Sequence, residues 1–373
     1  MSIYKTRLAA TARHLQAEGL DGLIALNFGQ NSFLESHAVF VLAGMRPIGE
    51  SAVVVDRDGG STLIVTPAWD AERAAGVSTT DHTVGADDLA DALKNTIGKH
   101  RLTEKRTASV GLSLLGQALA GRIVAALGTA PQPADDLARD LARVRTAEEH
   151  AAAERANWIA ERGYERLLEY ARPGLREFEL AAELYCFMKQ LGAEDNFLLL
   201  SASQHNLAVR AAGERILDVG DIILSEITPC YRGQFVQICR TTIIGAPPPV
   251  VRKNYAILQD AMAEGLAAAR AGARVADVTS AMNAVFGKSG YADYCRPPYM
   301  RVRGHGLGIT SDRPGDIVER NERELESGMM FVMHPNQYLP DSGYLMCGES
   351  VVVTPSNARA LSARPATLDV IAA

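Results

Sequence analysis

Histidine and glutamate side chains interrupt apolar or glycine-rich segments near the C-terminus. Met329–Met333 is a continuous apolar run that predicts a buried strand, and His334 follows it directly. Glu349 precedes the apolar run Val351–Val353, where an ionised carboxylate is costly unless it is paired or binds a ligand. His305 lies between two glycines, which allow a close approach of the backbone. Each group alone is best explained as a satisfied core residue, but three of them on neighbouring strands predict a functional site.

Arginines surround the glycine-rich segment Gly304–Gly308 and indicate what a substrate would carry. A guanidinium in a pocket wall binds a carboxylate through two parallel hydrogen bonds. The candidates are Arg301, Arg303 and Arg313. Arg313 is expected to be solvated or paired with nearby acidic residues, whereas Arg303 is predicted to bind the substrate. The glycine spacing is not a dinucleotide-binding loop, because no βαβ unit surrounds it.

Composition and charge exclude several classes of protein. The chain of 373 residues is long enough for two domains, and 47% hydrophobic with 22% charged residues is typical of a soluble globular protein. The net charge of -6, without a long basic run, argues against nucleic acid as the partner. A small-molecule substrate is expected instead.

Cysteine usage and hydropathy indicate the compartment. The five cysteines have no CxxC spacing, so neither a disulfide framework nor a zinc knuckle is expected. The N-terminus lacks the pattern of a signal peptide, and no apolar run reaches the ~20 residues of a membrane span. We therefore expect a cytoplasmic protein that does not interact with membranes.

Hydrophobic periodicity predicts an N-terminal α/β domain over residues 1–135. Residues 5–18 have helical spacing and end at glycines before an apolar strand. Ser51–Val55 and Ser61–Val65 flank a turn with two glycines, which is the pattern of a β-hairpin. The polar stretch Thr129–Ala134, with two prolines, predicts the boundary between the domains.

The remainder of the chain, residues 136–373, is predicted to be an α+β domain. Long helices are expected over Glu148–Tyr170 and Leu175–Leu191, and again over Val251–Ala271 and Val275–Lys288. The apolar runs between and after these helix pairs predict antiparallel strands. Long helices on one side of antiparallel strands define the α+β class.

The second domain carries a series of short motifs in a recognisable order and spacing. They are Pro173-Gly174, Gly220-Asp221, Arg240-Thr241, Gly304-His-Gly-Leu-Gly308, Gly328-Met329, Pro335, Tyr338 and Glu349. In this order they resemble the creatinase, prolidase and aminopeptidase P family. The resemblance implies a C-terminal "pita-bread" fold and a homodimer. It also implies a smaller N-terminal α/β domain of the creatinase type, which would include Asn31–Leu34.

The peptidase members of this family bind two metal ions through Asp, Asp, His, Glu and Glu. The resemblance places these positions on Glu226, Gln237, His305, His334 and Glu349. The histidine and the last glutamate match, whereas the other three positions differ. A neutral amide at Gln237 cannot hold two dications ~3.5–4 Å apart as a bridging carboxylate does. A two-metal peptidase site is therefore not expected.

Two kinds of chemistry remain open at these positions. With a single divalent metal ion, His305, His334 and Glu349 form a two-histidine, one-carboxylate set suited to Zn or Fe(II), with Gln237 as a fourth ligand. Without a metal, Glu349 and Glu226 act as acid and base, and Gln237 contacts the substrate. Nearby carboxylates then tune both histidines to a pKa near neutrality. We favour the metal-free chemistry over the single metal ion, because three of the five ligand positions are substituted.

The family's proton-handling histidines also differ in this chain. One falls on Val209, with His205 close enough to replace it, and the other falls on Ser311 or Asp312. Creatinase works without a metal, but its catalytic histidine and acidic residue fall on Val209 and Cys239. Creatine is therefore not expected to be the substrate. Cys239 is predicted to be a core thiol, because it lies in an apolar strand.

These residues predict a hydrolase that cleaves a C–N bond in a small carboxylate-bearing nitrogen compound. Arg303 would bind the carboxylate, His305 and His334 would polarise the scissile group, and Glu349 or Glu226 would deliver water. Without two metal ions, strained, activated or amidine-like groups suit the site better than a dipeptide amide. The alternatives are a single-metal hydrolase or lyase of the Xaa-Pro peptidase type, and a pseudoenzyme that only binds a ligand.

Overall fold

The structure is a computed structural model that describes residues 2–29, 37–309 and 312–372. Two positions that the family resemblance singled out, Asn31–Leu34 and Ser311, lie outside these ranges. None of the helices in the described ranges is both long enough and apolar enough to cross a lipid bilayer.

The chain forms two compact units that divide between Ala142 and Arg143. The sequence placed this boundary after residue 135, which is where the helix Asp135–Leu141 begins. That helix belongs to the first unit, because its buried Ala138 joins the hydrophobic core of that unit.

Helices alternate with the strands of one sheet in the first unit. Its elements are α1 Ile3–Ala17, β1 Gly22–Phe28, α2 Ala38–Ala43, β2 Glu50–Asp56, β3 Ser61–Val65, α3 Ala71–Val77, β4 His82–Gly85, α4 Leu89–Lys99, β5 Thr107–Val110, α5 Gln117–Leu127, β6 Gln132–Pro133 and α6 Asp135–Leu141. The strands lie in the order β4-β3-β2-β1-β5-β6. The predicted hairpin is present, since β2 pairs antiparallel with β3 and Gly59 supplies a φ of +96° in the turn.

The second unit contains long helices and short antiparallel strands. Its elements are α7 Ala147–Tyr170, α8 Glu177–Gln190, β7 Asp195–Ser203, β8 Ile222–Tyr231, β9 Gln234–Phe235, β10 Ile238–Ile244, α9 Pro249–Ala268, α10 Val275–Lys288, β11 Gly304–Gly306, β12 Met330–Met333, β13 Gln337–Leu339, β14 Gly343–Leu345, β15 Glu349–Val353, β16 Ala358–Ala360 and β17 Asp369–Ile371. The predicted α+β class is confirmed.

A backbone bridge joins two sheets of the second unit. One sheet has the order β17-β10-β8-β7, with β9 beside β8, and the other has the order β11-β12-β15-β16. Cys239 of β10 and Gly348, just before β15, form the antiparallel bridge between them, with N–H to O distances of 3.0 Å in both directions. The hairpin of β13 and β14 is separate from both sheets.

Alternating residues of the strands pack on opposite sides against the two helix pairs. Leu200, Ile223 and Ile238 pack with α7 and α8, whereas Leu224 and Ile243 pack with α9 and α10. Strands that are buried on both sides read as continuous apolar runs.

Local capping signals explain the helix boundaries, but one strand differs from its prediction. Thr146 and Glu149 form a capping box that starts α7, and α10 begins and ends where the sequence predicted. The single strand predicted over Gln234–Ile244 is divided into β9 and β10. The reason lies in the backbone of Gln237, whose N–H donates to Ser350 Oγ at 2.8 Å instead of pairing within a sheet.

A buried ion pair holds the segment that follows β11. Arg145 Nη2 lies 2.6 Å from Asp312 Oδ2, and the two side chains are 0% and 2% exposed. The same carboxylate oxygen accepts the backbone N–H of Ile309 at 3.0 Å. Asp312, one of two positions where the resemblance placed a proton-handling histidine, therefore has a structural partner instead.

The Asp312→Ala variant is expected to lower the free energy of unfolding of the second unit by about 3–5 kcal/mol, because Arg145 would keep a buried charge without its partner. Urea unfolding followed by Trp158 fluorescence, in a Trp69→Phe background, measures this unit alone. The control is Glu154→Ala, which removes an exposed ion pair and is expected to cost less than about 1 kcal/mol. An equally small loss in Asp312→Ala would contradict the assignment.

Candidate active site

Glu226, Gln237 and Cys239 share one face where β8 meets β10. Glu226 lies directly opposite Cys239 in the antiparallel register. Gln237 is two residues before Cys239, and its Nε2 donates to the Cys239 thiol at 3.5 Å. Because residues two apart in extended chain point to the same side, these side chains converge. We call this region the central site.

The two predicted histidines join the central site from the second sheet. His334 directly follows β12, and His305 lies on the neighbouring strand β11. Their ring centroids are 5.5 Å apart with the planes at 64°. A Cβ at Gly348 would lie 2.8 Å from the Cβ atoms of both Cys239 and His334, so the absence of a side chain at Gly348 allows these two residues to meet.

The glycines on either side of His305 allow other backbone segments to pack closely against this strand. Gly304 has a φ of +144°, and a Cβ there would lie 2.1 Å from the carbonyl oxygen of Val332. At Gly306 a Cβ would lie 1.7 Å from the carbonyl oxygen of Asp312. The glycines therefore allow tight packing around His305, whose ring remains half-buried.

Glu226 is the carboxylic acid of the central site, and burial strongly shifts its pKa. Its carboxyl makes no hydrogen bond with the described residues. Burial raises the pKa of Glu226 to about 7, and the positive charge of Arg301 opposes this rise. A carboxyl with such a pKa changes charge near neutral pH, which suits a general acid or base.

Both histidines are neutral at neutral pH, which corrects the predicted tuning by carboxylates. Burial, together with the smaller effect of the neighbouring His305, lowers the pKa of His334 to about 3. Burial also lowers the pKa of His305, although Asp316 acts in the opposite direction. His305 Nδ1 lies 3.2 Å from the carbonyl oxygen of Gly306, which can only accept, so the proton is on Nδ1 and Nε2 is an acceptor.

Two further polar atoms of the central site have no partner among the described residues. They are Gln237 Oε1 and His334 Nδ1, on side chains that are 0% and 8% exposed. Buried polar groups without partners are rare in proteins because each costs about 1–3 kcal/mol. Together with Glu226, they form a set of groups able to hydrogen-bond a bound molecule.

Glu349 is not part of this set, which corrects its predicted role as base and metal ligand. Its Oε1 accepts a hydrogen bond from Arg240 Nη2 at 2.7 Å, and its Oε2 accepts one from Ser362 Oγ. Burial raises the pKa of Glu349, whereas Arg240 and Ser362 lower it. Because neighbouring residues of a strand point to opposite faces, Arg240 and its partner Glu349 lie behind Cys239.

Arg303 is also unavailable to a substrate, although the sequence favoured it. The side chain is fully buried, and its guanidinium lies 4.3 Å from the centre of the Phe286 ring. It donates to Asn283 Oδ1 at 2.8 Å and to Gln337 Oε1 at 2.9 Å. Burial lowers the pKa of Arg303 to about 10. Its role is to join separate segments of the core.

Arg301, two residues before Arg303, lies close enough to the central site for its charge to act there. It is exposed, and its positive charge lowers the pKa of Glu226 as well as those of His305 and His334. Neither a hydrogen bond nor an ion pair links its guanidinium to the described part of the chain. This guanidinium is therefore free to bind an anion at the edge of the central site.

Tyr344 is a site residue that the sequence reasoning missed. It lies opposite Tyr338 in the hairpin of β13 and β14, and the charge of Glu226 raises its pKa in addition to the larger effect of burial. The turn-forming residues Pro340–Gly343 between two short strands are a hairpin signal that could have paired the two tyrosines.

Tyr338 in turn contacts His205, with ring centroids 6.0 Å apart. Val209, the position on which the family's histidine falls, packs against the hydrophobic core.

The side chains as placed do not form a metal site. Among residues 2–29, 37–309 and 312–372, no three His, Cys, Asp or Glu side chains come together in a way that could hold a metal ion. Glu349 is bound by Arg240 and Ser362, and Gln237 offers only an amide. The preference for metal-free chemistry itself stays a prediction.

Comparison with models of protein families identifies the family of this chain. Residues 151–355, more than half of the sequence, match the model of metallopeptidase family M24. The chain belongs to this family. The predicted membership of the creatinase, prolidase and aminopeptidase P group is thereby confirmed.

Similar sequences include several peptidases. The chain is 25% identical over 242 residues to an uncharacterized peptidase, YqhT, of Bacillus subtilis, an alignment that covers 64% of this chain and 67% of that protein. It is 29% identical over 231 residues to an Xaa-Pro dipeptidase of Pyrococcus furiosus, covering 61% of this chain and 65% of the relative. The chain thus spans about two thirds of the length of these curated relatives. Their names agree with the predicted class of C–N hydrolase.

Solved structures share the fold over nearly the whole chain. An Xaa-Pro dipeptidase from Bacillus anthracis superposes with a TM-score of 0.86 and 20% identity, covering 99% of this chain and 100% of that one. The dipeptidase PepE from Mycobacterium ulcerans gives a TM-score of 0.83 with 26% identity, covering 100% and 98%. The predicted pita-bread domain with a smaller α/β domain before it is confirmed.

One glutamate is expected to titrate with a midpoint near pH 7, because burial raises the pKa of Glu226. NMR of protein labelled with ¹³C at the glutamate carboxyl measures it, and Glu226→Gln identifies the signal. Arg301→Gln should raise the midpoint, since it removes a positive charge that favours the ionised form. The exposed substitution Arg252→Gln is the control. A midpoint near the ordinary value, or a fall in Arg301→Gln, would contradict this assignment.

Proposed function

We propose that the chain hydrolyses a C–N bond in a small carboxylate-bearing nitrogen compound, without a metal ion in the reaction. The observation that carries the proposal is the half-buried Glu226 carboxyl, which has a pKa of about 7 and no partner among the described residues. The sequence relatives, which are named as peptidases, support the C–N bond as the target. The altered ligand positions support chemistry that differs from theirs.

Glu226 moves the proton in the proposed reaction. Its carboxylate takes a proton from a water molecule, and the resulting hydroxide attacks the carbon of the C–N bond. The protonated Glu226 then donates to the departing nitrogen, so that the C–N bond breaks and the carboxylate is restored. A pKa near neutrality favours both steps, because the group must accept and release a proton in turn.

Neutral histidines and the amide of Gln237 orient the substrate. His305 offers Nε2 as an acceptor, because its Nδ1 proton is directed to Gly306. His334 Nδ1 and Gln237 Oε1, both buried, would gain the partners they lack when a substrate is bound. Since neutral groups stabilise a developing anion less than a metal ion does, an activated or amidine-like group is a better substrate than a peptide bond.

Arg301 supplies the charge that selects a carboxylate. Its exposed guanidinium is positioned to act on Glu226 and both histidines, as its effect on their pKa values indicates. A bidentate ion pair with the substrate would fix the distance between the carboxylate and the scissile bond.

The Glu226→Gln variant is expected to lower kcat by about 10²–10⁴-fold, because it removes the general base. A panel of small acids containing amide, urea or amidine groups first identifies a substrate. The wild-type rate should rise with pH through about 7, as Glu226 loses its proton. Arg301→Gln should mainly raise KM, whereas the exposed Arg320→Gln should change neither constant. Full activity in Glu226→Gln would exclude this mechanism.

A metal-dependent dipeptidase is the second candidate, and the 29% identity to an Xaa-Pro dipeptidase favours it. We expect protein purified without chelator to contain far less than one metal ion per chain, and Xaa-Pro dipeptides with Mn or Co to be poor substrates. Elemental analysis and a dipeptidase assay measure both. Stoichiometric metal that is lost in His334→Ala, together with turnover near the typical ~10 per second, would establish the dipeptidase instead. Tight binding of ligands without any turnover would instead indicate a pseudoenzyme that only binds its ligand.

A further inference from the structure

Three side chains of the first unit are joined by hydrogen bonds into one chain. Asp56 ends β2, Thr62 lies in β3, and His100 directly follows α4. Asp56 Oδ2 lies 2.7 Å from His100 Nδ1, and His100 Nε2 lies 2.9 Å from Thr62 Oγ1. A carboxylate, an imidazole and a hydroxyl in this order form the arrangement that activates a hydroxyl as a nucleophile.

The turn of the first hairpin fixes the carboxylate of this group. Asp56 Oδ1 accepts the backbone N–H groups of Asp58 and Gly60 at 3.0 and 2.8 Å, which leaves Oδ2 for His100. A Cβ at Gly60 would collide with Oδ2, so the glycine allows this approach. Because a carboxylate oxygen only accepts, the proton of neutral His100 is on Nδ1, and Nε2 accepts from the Thr62 hydroxyl. His100 is therefore placed to take the proton of Thr62.

A cavity of about 380 Å³ adjoins the three side chains, and all of them line it. His82, Val84 and Lys99 belong to the same lining. His82 lies directly opposite Thr62 in the parallel register of β3 and β4, so the two side chains share one face of the sheet. The volume is at the lower end of the range for small-molecule sites. A small molecule in this cavity would therefore meet the Thr62 hydroxyl.

His82 and Lys99 can bind the oxygen of a carbonyl group that Thr62 attacks. Both are exposed, and neither side chain has a hydrogen bond or ion pair within residues 2–29, 37–309 and 312–372. An imidazole N–H and an ammonium group both stabilise the negative oxygen that forms during acyl transfer. Asp81 also lines the cavity, but its Oδ2 accepts the backbone N–H and the hydroxyl of Ser61 at 2.9 and 2.8 Å.

We propose that this cavity is a second catalytic site, in which Thr62 hydrolyses a small carboxylic ester. His100 Nε2 takes the proton of Thr62 while Oγ1 forms a bond to the ester carbon. The bond from that carbon to the alkoxide then breaks, and the alkoxide leaves with the proton from His100. Water gives a proton to His100 and attacks the acyl group, which releases the acid and returns the proton to Thr62 Oγ1. The reaction is independent of the central site, because all three residues belong to the first unit.

A fluorophosphonate tests this proposal by covalent labelling of the full chain, followed by peptide mass spectrometry. Thr62 Oγ1 would bond to phosphorus and displace fluoride, which gives a stable adduct. We expect one label per chain, on Thr62. Thr62→Val should abolish labelling, whereas Thr62→Ser should retain it because the hydroxyl remains. Thr83→Val, on the opposite face of β4 and outside the lining, is the matched control and should be labelled as the wild type is. Hydrolysis of p-nitrophenyl acetate should follow the same order.

Asp56→Asn tests the positioning of His100. An amide can donate to His100 Nδ1, which would move the ring proton to Nε2 and prevent this nitrogen from accepting the proton of Thr62. We expect the labelling rate to fall about 10²–10⁴-fold. We also expect ¹⁵N NMR of histidine-labelled protein to show the change of tautomer, with His100→Gln identifying the signal. The Asn Oδ1 atom can still accept the backbone N–H groups of the turn, so the hairpin should be retained.

Four outcomes would overturn the proposal. One is the absence of any label on the wild type, and another is a label on Ser61 or on the second unit in place of Thr62. A third is equal hydrolysis of p-nitrophenyl acetate by the wild type and Thr62→Val. The fourth is an unchanged labelling rate in Asp56→Asn. If Thr62→Val does not fold, the position of the label and the rate in Asp56→Asn decide the question.

Discussion

The buried ion pair between Arg240 and Glu349 holds the second unit together where its two sheets meet. The side chains are 1% and 5% exposed, so removal of either partner would leave an uncompensated charge in the interior. Arg240 Nη1 also donates to the carbonyl oxygens of Cys239 and Gly348, at 3.0 and 2.7 Å. The same guanidinium therefore binds the carboxylate and both strands of the bridge. The geometry of the central site depends on this guanidinium, because His334 packs against Cys239 and Gly348.

Signals that act over a few residues were sufficient to predict most of the fold. The ends of α10 follow from helical periodicity, the start of α7 from a capping box, and the first hairpin from two glycines between apolar runs. Each of these is decided by neighbours in sequence. The division of Gln234–Ile244 into two strands was missed because it depends on Ser350, a residue more than a hundred positions away.

The structure gives two of the predicted site residues, Arg303 and Glu349, partners within the protein that the sequence did not indicate. Arg303 adjoins the glycine-rich motif, and no local feature shows that Asn283 and Gln337 enclose it. Glu349 keeps the family's residue type, yet Ser362 from the following segment binds it. Which partner a buried charge finds is decided by tertiary packing, which periodicity does not report. Glu226, by contrast, was recognised from its position in the motif series.

The hydrogen bond from Ser362 to Glu349 limits what a single substitution in the central site can restore. A mutation of Gln237 to aspartate would restore the residue type that the metal-binding members of the family carry at that position. It would not restore their ligand set, because Ser362 and Arg240 would still hold both oxygens of Glu349. A ligand set of the metal-binding type therefore requires changes in separate segments of the chain, at position 237 and at the two partners of Glu349.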